Sequence, residues 1–163
     1  IFLMLMGATA FSQKFAIVDT EYILSNIPAY NAAQEKLDNL SKQWQQEIEQ
    51  RYNEIDELYK EYQSEKVLLS EEMKRKREEE IINKEREVKE LQKSYFGPEG
   101  ELQQRRKELV QPIQDEVYKA VEEVSQDNRY DAVFDTAAGA VVLYFNSQYD
   151  ISDDILVNLG YKN

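Results

Sequence analysis

Polar and apolar residues follow one another with a helical period through most of this chain. Apolar side chains stand at Ala33, Leu37, Leu40, Trp44, Ile48, Tyr52, Ile55, Tyr59 and Tyr62. Steps of three and four residues gather such positions on one stripe of an α-helix, as in the seam of a coiled coil. Successive steps of four between Trp44 and Tyr52 break the strict heptad, which predicts a local straightening of the supercoil. Pro28 suits the first turn of this helix, where a missing N–H costs nothing.

The stripe fades between Gln63 and Glu80, where the apolar residues are Val67, Leu68, Leu69 and Met73. Ser70 followed by Glu71 and Glu72 reads as an N-cap with an acidic first turn, so the chain is expected to reverse at 67–70. Apolar positions resume at Ile81, Val88, Leu91 and Tyr95. They continue through Leu102, Leu109, Ile113, Val117, Ala120 and Val124, with Arg106 at a seam position. Folding about residue 70 sets Tyr59 against Ile81, Tyr52 against Val88, Ile48 against Leu91 or Gln92, and Trp44 against Tyr95. Gly97-Pro98-Glu99-Gly100 predicts a kink in the returning helix, and Pro112 is a milder breaker. The expectation over residues 30–127 is therefore a long antiparallel helical hairpin, its tip near 67–70 and its kink at 97–100.

The flanks read differently. Residues 15–19 (Phe-Ala-Ile-Val-Asp) have strand composition, with Thr20 placed to cap a brief helix through Leu24. Ala132 to Thr136 forms a second predicted strand. Ala140 to Phe145 forms a third, joined to it by a turn around Ala138 and Gly139 as a hairpin. Ser152 can cap a closing helix that ends at Gly160. The fold class is α+β: a β-rich body from 14–29 and 128–163, carrying a helical hairpin.

Composition sharpens this picture. The 163 residues hold 32 acidic and 20 basic side chains, a formal charge of −12, and neither Cys nor His. Zinc sites of the usual ligands, haem or iron–sulfur ligation, and nucleophilic catalysis that needs a His base are thereby excluded, as are disulfides. The negative charge argues against general nucleic-acid binding, which rests on phosphate neutralisation. A body of 51 residues (15–29 and 128–163) without staples sits where a single core is barely sufficient. Sharing one core among several copies, with the strand edges covered, resolves this. Oligomerisation is thus expected, with Phe15, Ile17, Val133, Val142 and Tyr144 as the strand residues that would carry it.

Residues 1–13 carry no charge: an apolar run, Ile1 to Met6, precedes small residues at Gly7 to Ala10. This is the pattern of the latter part of a cleavable export signal.

Lys14-Phe15-Ala16-Ile17-Val18-Asp19, a long charged hairpin, the return to Asp131-Ala132-Val133-Phe134-Asp135, then Val141 to Ser147 and Asp150 to Leu156 together resemble the Skp/OmpH family of periplasmic chaperones. The resemblance spans residues 14–163. It implies a homotrimer with a shared β-barrel body and three helical tentacles around a cavity. There, unfolded outer-membrane β-barrel proteins would be held without ATP, in the periplasm, and with no cofactor. The acidic charge departs from the family's best-known members, which are basic, and weakens any carry-over of electrostatic capture.

On the arms, Tyr62, Leu69, Met73 and Phe96 are the candidate client contacts, lying near the thin tip or the kink. Leu37, Leu40, Trp44, Ile48, Tyr52, Ile55, Tyr59, Ile81, Val88 and Leu91 are assigned to the hairpin seam. Residues 70–96 are charge-neutral and contain the run Lys74-Arg75-Lys76-Arg77. Contact of this run with an anionic membrane surface is the less favoured reading. Glu71 with Arg75 and Glu72 with Lys76 offer i,i+4 pairs, and Glu78-Glu79-Glu80 cancels the charge. Asp19-Thr20 and Asp135-Thr136 resemble aspartic-protease loops but lack the Gly, so strand-end capping is the preferred reading. Asp150, Asp153 and Asp154 lack the calcium-loop pattern. No catalytic or metal-binding residue is assigned. The alternative to a holdase is a non-catalytic coiled-coil scaffold or spacer of the cell envelope, which should show an uninterrupted seam and little free apolar surface.

Overall fold

The computed structural model describes residues 13–139 and 142–162. The expected export signal thus lies outside the described residues, apart from Gln13. In chain order the elements are β1 (Phe15–Val18), α1 (Thr20–Ser25), α2 (Pro28–Glu65), α3 (Glu71–Phe96), α4 (Glu101–Asn128), β2 (Ala132–Asp135), a 3-10 turn (Ser147–Tyr149) and α5 (Ser152–Asn158). The chain divides into two compact units, one of 1–31 and 113–163, the other of 32–112.

In the first unit β1 and β2 form a two-stranded parallel sheet in which Phe15 faces Ala132, Ala16 faces Val133, Ile17 faces Phe134 and Val18 faces Asp135. Side chains alternate across a strand, so Ala16, Val18 and Val133 turn to the core while Phe15, Ile17 and Phe134 share the opposite face. The core side closes on Ile23, Leu24 and Ile27, on Val117, Ala120 and Val124 of α4, and on Ile151, Ile155 and Leu156. Ile23 and Ile155 have no solvent exposure.

The caps differ from the expected ones in detail. Asp19, not Thr20, caps α1, accepting from the Tyr22 N–H at 2.9 Å. Thr20 is already helical, and its N–H and Oγ1 donate to the Asp135 carboxylate at 3.1 and 2.6 Å. Thr136 in turn donates from its N–H and Oγ1 to the Val18 carbonyl. Both Asp-Thr pairs thus tie the two strand ends together. Ser152 opens α5 rather than capping it; its Oγ accepts from the Asp19 N–H, and Asp150 Oδ1 accepts from the Ser152 N–H. The end of α5 is a Schellman turn: Gly160 at φ +80° donates to Val157 O, and Tyr161 N–H to Leu156 O.

The predicted third strand is not formed in its described part. Residues 142–146 carry no regular structure, and Ala140 and Val141 lie outside the described residues. The described part of this segment makes no ladder with β2, whose outer edge stays open, while both edges of β1 are taken, by β2 and by the isolated bridge from Ile17 to Asp150.

In the second unit α2 and α3 pack along a seam. Ser70 caps α3, its Oγ accepting from Met73 N–H at 3.4 Å. Gly97 and Gly100 shape the break between α3 and α4. A Cβ on Gly97 would lie 2.4 Å from Lys93 O, and one on Gly100 2.8 Å from both Gly97 N and Tyr95 O. Only glycine fits so tight a passage from one helix to the next. Pro112 does not break α4, which runs through it.

Candidate functional site

From Trp44 to Tyr62 the seam of the second unit follows a heptad. Ile48, Ile55 and Tyr62 on α2 pack with Ile81 and Val88 on α3, flanked by partly buried Leu58, Leu69, Leu91, Tyr95 and Phe96. On α2 the series toward α3 is Trp44, Ile48, Arg51, Ile55, Leu58 and Tyr62, in steps of four and three, with Arg51 at the seam's edge, its side chain 47 % exposed. With Leu37 and Leu40 included, two successive steps of four remain at Leu40–Trp44–Ile48, so the expected interruption is confined to that point. Tyr52 and Tyr59 lie one residue, about 100° of helix, off this series and are 39 % and 51 % exposed. Leu58 packs against the seam in their stead, and Arg51 borders it beside Lys84 and Val88. Of the remaining seam residues, Leu37 is buried and Leu40 partly so.

The expected facing of Trp44 and Tyr95 is seen directly: their rings stack at 4.7 Å between centroids, and Phe96 meets Trp44 edge-on at 6.2 Å. Tyr95 OH donates to Glu47 Oε2 at 2.9 Å while Arg51 pairs with Oε1 at the same distance. The Arg51 bond first, then that of Tyr95, holds the Glu47 carboxyl below the usual carboxylate range, and Glu47 in turn pushes the Tyr95 hydroxyl up. Nearer the tip, Tyr62 donates to Glu78 across the seam with Lys66 over its ring. Its hydroxyl is pushed up to about 12, chiefly by the Glu78 bond and next by burial.

The four residues read as client contacts fall in unlike places. Tyr62 is a buried seam residue, Leu69 and Phe96 are half-buried, and Met73 is open to solvent. Tyr52, Tyr59, Val67, Leu68 and Ile82 are the other large apolar side chains exposed on this unit; Val67 is 91 % and Leu68 87 % exposed. Ile82 drew no notice in the sequence because its neighbour Ile81 satisfied the seam.

On the first unit, Phe15, Ile17 and Phe134 lie on the face of the sheet away from the core, with Phe15 and Phe134 rings 6.0 Å apart. Tyr130, Phe145 and Tyr149 extend this into an open apolar concavity. Val133 turns inward, Val142 is half-buried, and Tyr144 is 85 % exposed in the irregular segment. Among the described residues the outer edge of β2 pairs with nothing.

A small parallel sheet with helices flanking a heptad-packed pair is a combination that comparison with known proteins places. The family model described as outer membrane protein (OmpH-like) matches residues 14–159. The chain belongs to the OmpH-like family. This OmpH-like chain is also 29 % identical over 155 residues to an Aquifex aeolicus protein of uncharacterised role, covering 95 % of this chain and 91 % of that one. Among solved structures it is similar to an OmpH-like protein of Caulobacter crescentus, described as a candidate outer membrane chaperone. The TM-score is 0.72 at 14 % identity, covering 91 % of this chain and 84 % of the other. At that identity the likeness concerns the fold.

Three of the four side chains of the basic run of the OmpH-like chain pair on its own helix, two of them with the acidic run that follows and none in the expected i,i+4 pairs with Glu71 and Glu72. Lys74 pairs with Glu71 at 2.6 Å, Arg75 with Glu79 at 3.8 Å and Arg77 with Glu80 at 3.4 Å. Among the described residues no group of three or more carboxylates is placed to hold a metal ion, and no helix is long and apolar enough to cross a membrane.

Proposed function

We propose that this OmpH-like chain is an ATP-independent holdase of the periplasm. In this reading it binds unfolded outer-membrane β-barrel proteins between the helical arms of an assembled homotrimer and keeps them from aggregating. The observation that carries the reading is the distribution of apolar surface. The arms bury a narrow seam and still present Tyr52, Tyr59, Val67, Leu68, Met73 and Ile82 to solvent on an otherwise charged surface. Scattered amphipathic rings and aliphatic chains suit many weak contacts with a disordered client better than one fixed interface.

Self-association has its own support. Parallel sheets are ordinarily covered on both faces, and on the outer face Phe15 and Phe134 remain 44 % and 47 % exposed beside the free edge of β2. Further copies of the same chain supply both a strand and an apolar face, and residues 140–146 are long enough to become that strand. Replacing Phe134 by Asp should reduce the sedimenting mass toward that of one chain.

The test of the holdase is light scattering from a denatured outer-membrane β-barrel diluted into buffer without nucleotide. One trimer per client should suppress the rise. The scaffold reading keeps one point in its favour, since the α2 seam holds a heptad from Trp44 to Tyr62. Failure to suppress aggregation, together with tight binding of one folded envelope protein, would establish the scaffold instead.

A further inference from the structure

Beside the end of α3, a concavity of about 410 Å³ opens between α2 and α3, floored by Ile48, Tyr52 and Phe96. Its rim is unlike the rest of the arm. Gln45, Asn53 and Gln92 are neutral amides, and Glu49 is the one ionised side chain. All four are exposed, and none forms a hydrogen bond or ion pair with another described residue. The larger concavity along α3 is ringed by Lys76, Arg77, Glu79, Glu80 and Lys84, a surface that an apolar group would not enter without desolvating charge.

We infer that this concavity is a discrete binding site for an extended, non-acidic stretch of unfolded polypeptide, seating one aromatic or large aliphatic side chain against Tyr52 and Phe96. The inference rests on the holdase reading for its biological occupant. Complementarity supports it on three counts. The floor offers two rings to an apolar side chain, and ring pairs contribute beyond their buried area. An extended backbone carries one donor and one acceptor per residue, and each rim amide carries both. Glu49, with no cation beside it on the rim, repels a carboxylate and attracts a neighbouring Lys or Arg. A strand places alternate side chains on opposite sides, so a client whose apolar residues alternate would seat a ring while its polar neighbours remain in water.

The experiment uses the full chain and its sole tryptophan. Trp44 lies against Phe96, so occupancy next to that ring should shift Trp44 emission. The probe is a blocked octapeptide of alternating Tyr and Thr; its comparison has Asp in place of Thr. The Tyr-Thr peptide should shift the emission saturably, and the Asp peptide should bind more weakly by about tenfold, the scale of one unfavourable charge contact. Tyr52→Ala, which removes an exposed ring and leaves the seam intact, should weaken the Tyr-Thr peptide about fivefold, as for one lost ring contact. Tyr59→Ala, about two turns away and outside the concavity, should leave it unchanged. Equal affinity of wild type and Tyr52→Ala, or equal affinity for the two peptides, overturns the site. A change in sedimenting mass with Tyr52→Ala in place of a change in peptide affinity overturns it too, since the occupant is then a second copy. Loss of aggregation suppression in wild type defeats the holdase reading alone, because the peptide titration is read independently of it.

Discussion

The register of the seam makes a prediction that separates two residues of one apolar series. Ile55 is 7 % exposed within the α2–α3 seam, whereas Tyr59, four residues on, is 51 % exposed and off it. Ile55→Ala deletes three buried carbons, worth about 2.4 kcal/mol at ~0.8 kcal/mol each. The unfilled space raises the cost to roughly 3–4 kcal/mol, within the range for large-to-small changes at buried sites. Tyr59→Ala removes a larger side chain, but one that already faces water, and should cost about 0.5 kcal/mol or less. Urea unfolding followed by Trp44 emission reads this unit specifically, provided protein concentration is held fixed, since association shifts the apparent midpoint. Ile55→Ala should lower the midpoint with little change in slope, and Tyr59→Ala should overlay wild type. A Tyr59→Ala loss equal to that of Ile55→Ala would refute the heptad register and restore the stuttered seam.

Four further outcomes follow from the geometry. Gly100→Ala drives a Cβ into backbone atoms of residues 95 and 97 and should cost about 1–3 kcal/mol. Gly139→Ala, at φ +81° with open space around it, should cost about 1–2 kcal/mol from backbone strain alone; differential scanning calorimetry of the two variants gives the comparison. Tyr62 is held neutral in the folded chain, so the stability it adds is fully present below pH 10 and is lost as pH rises toward about 12. The advantage in melting temperature of wild type over Tyr62→Phe should therefore vanish across that interval; an advantage that persists at pH 12 would contradict the Glu78 bond as its source. Glu47 has the opposite sign. Its carboxyl is depressed by Arg51 and Tyr95, so its contribution is present above the ordinary carboxylate range and disappears as pH falls through its lowered value. The difference between wild type and Glu47→Gln should shrink on acidification, and a difference that grows would reject the network.

Features set by a few neighbouring residues were legible without the fold. Pro28 opens α2, Ser70 with Glu71 and Glu72 opens α3, and Gly97 to Gly100 separate α3 from α4, because caps and breakers act within one turn of helix. The facing of Trp44 with Tyr95 was legible as well, since a reversal near residue 70 leaves little choice of partner at that distance. Which ring lies inside was not. Tyrosine is amphipathic and satisfies a hydrophobic stripe or a wet surface equally, so Tyr52 and Tyr59 were drawn into the seam while Arg51 and Leu58 were passed over. Only the packing of α3 against α2 selects between positions 100° apart. Tyr62 shows the converse: the thinning of apolar residues around it suggested exposure, and the buried bond to Glu78 across the seam is a contact that no local pattern encodes.

The flanks divide in the same way. Strand composition at 15–18 and 132–135 and the closing helix before Gly160 are properties of short segments. The parallel pairing of β1 with β2, and the use of both Asp-Thr pairs to tie their ends, joins residues more than a hundred positions apart and is decided by the shared core of α1, α4 and α5. Residues 142–146 mark where even the single chain stops deciding. Their strand composition is plain in the sequence, yet a strand exists only where ladder bonds form, and the described residues 142–146 form none with the open edge of β2.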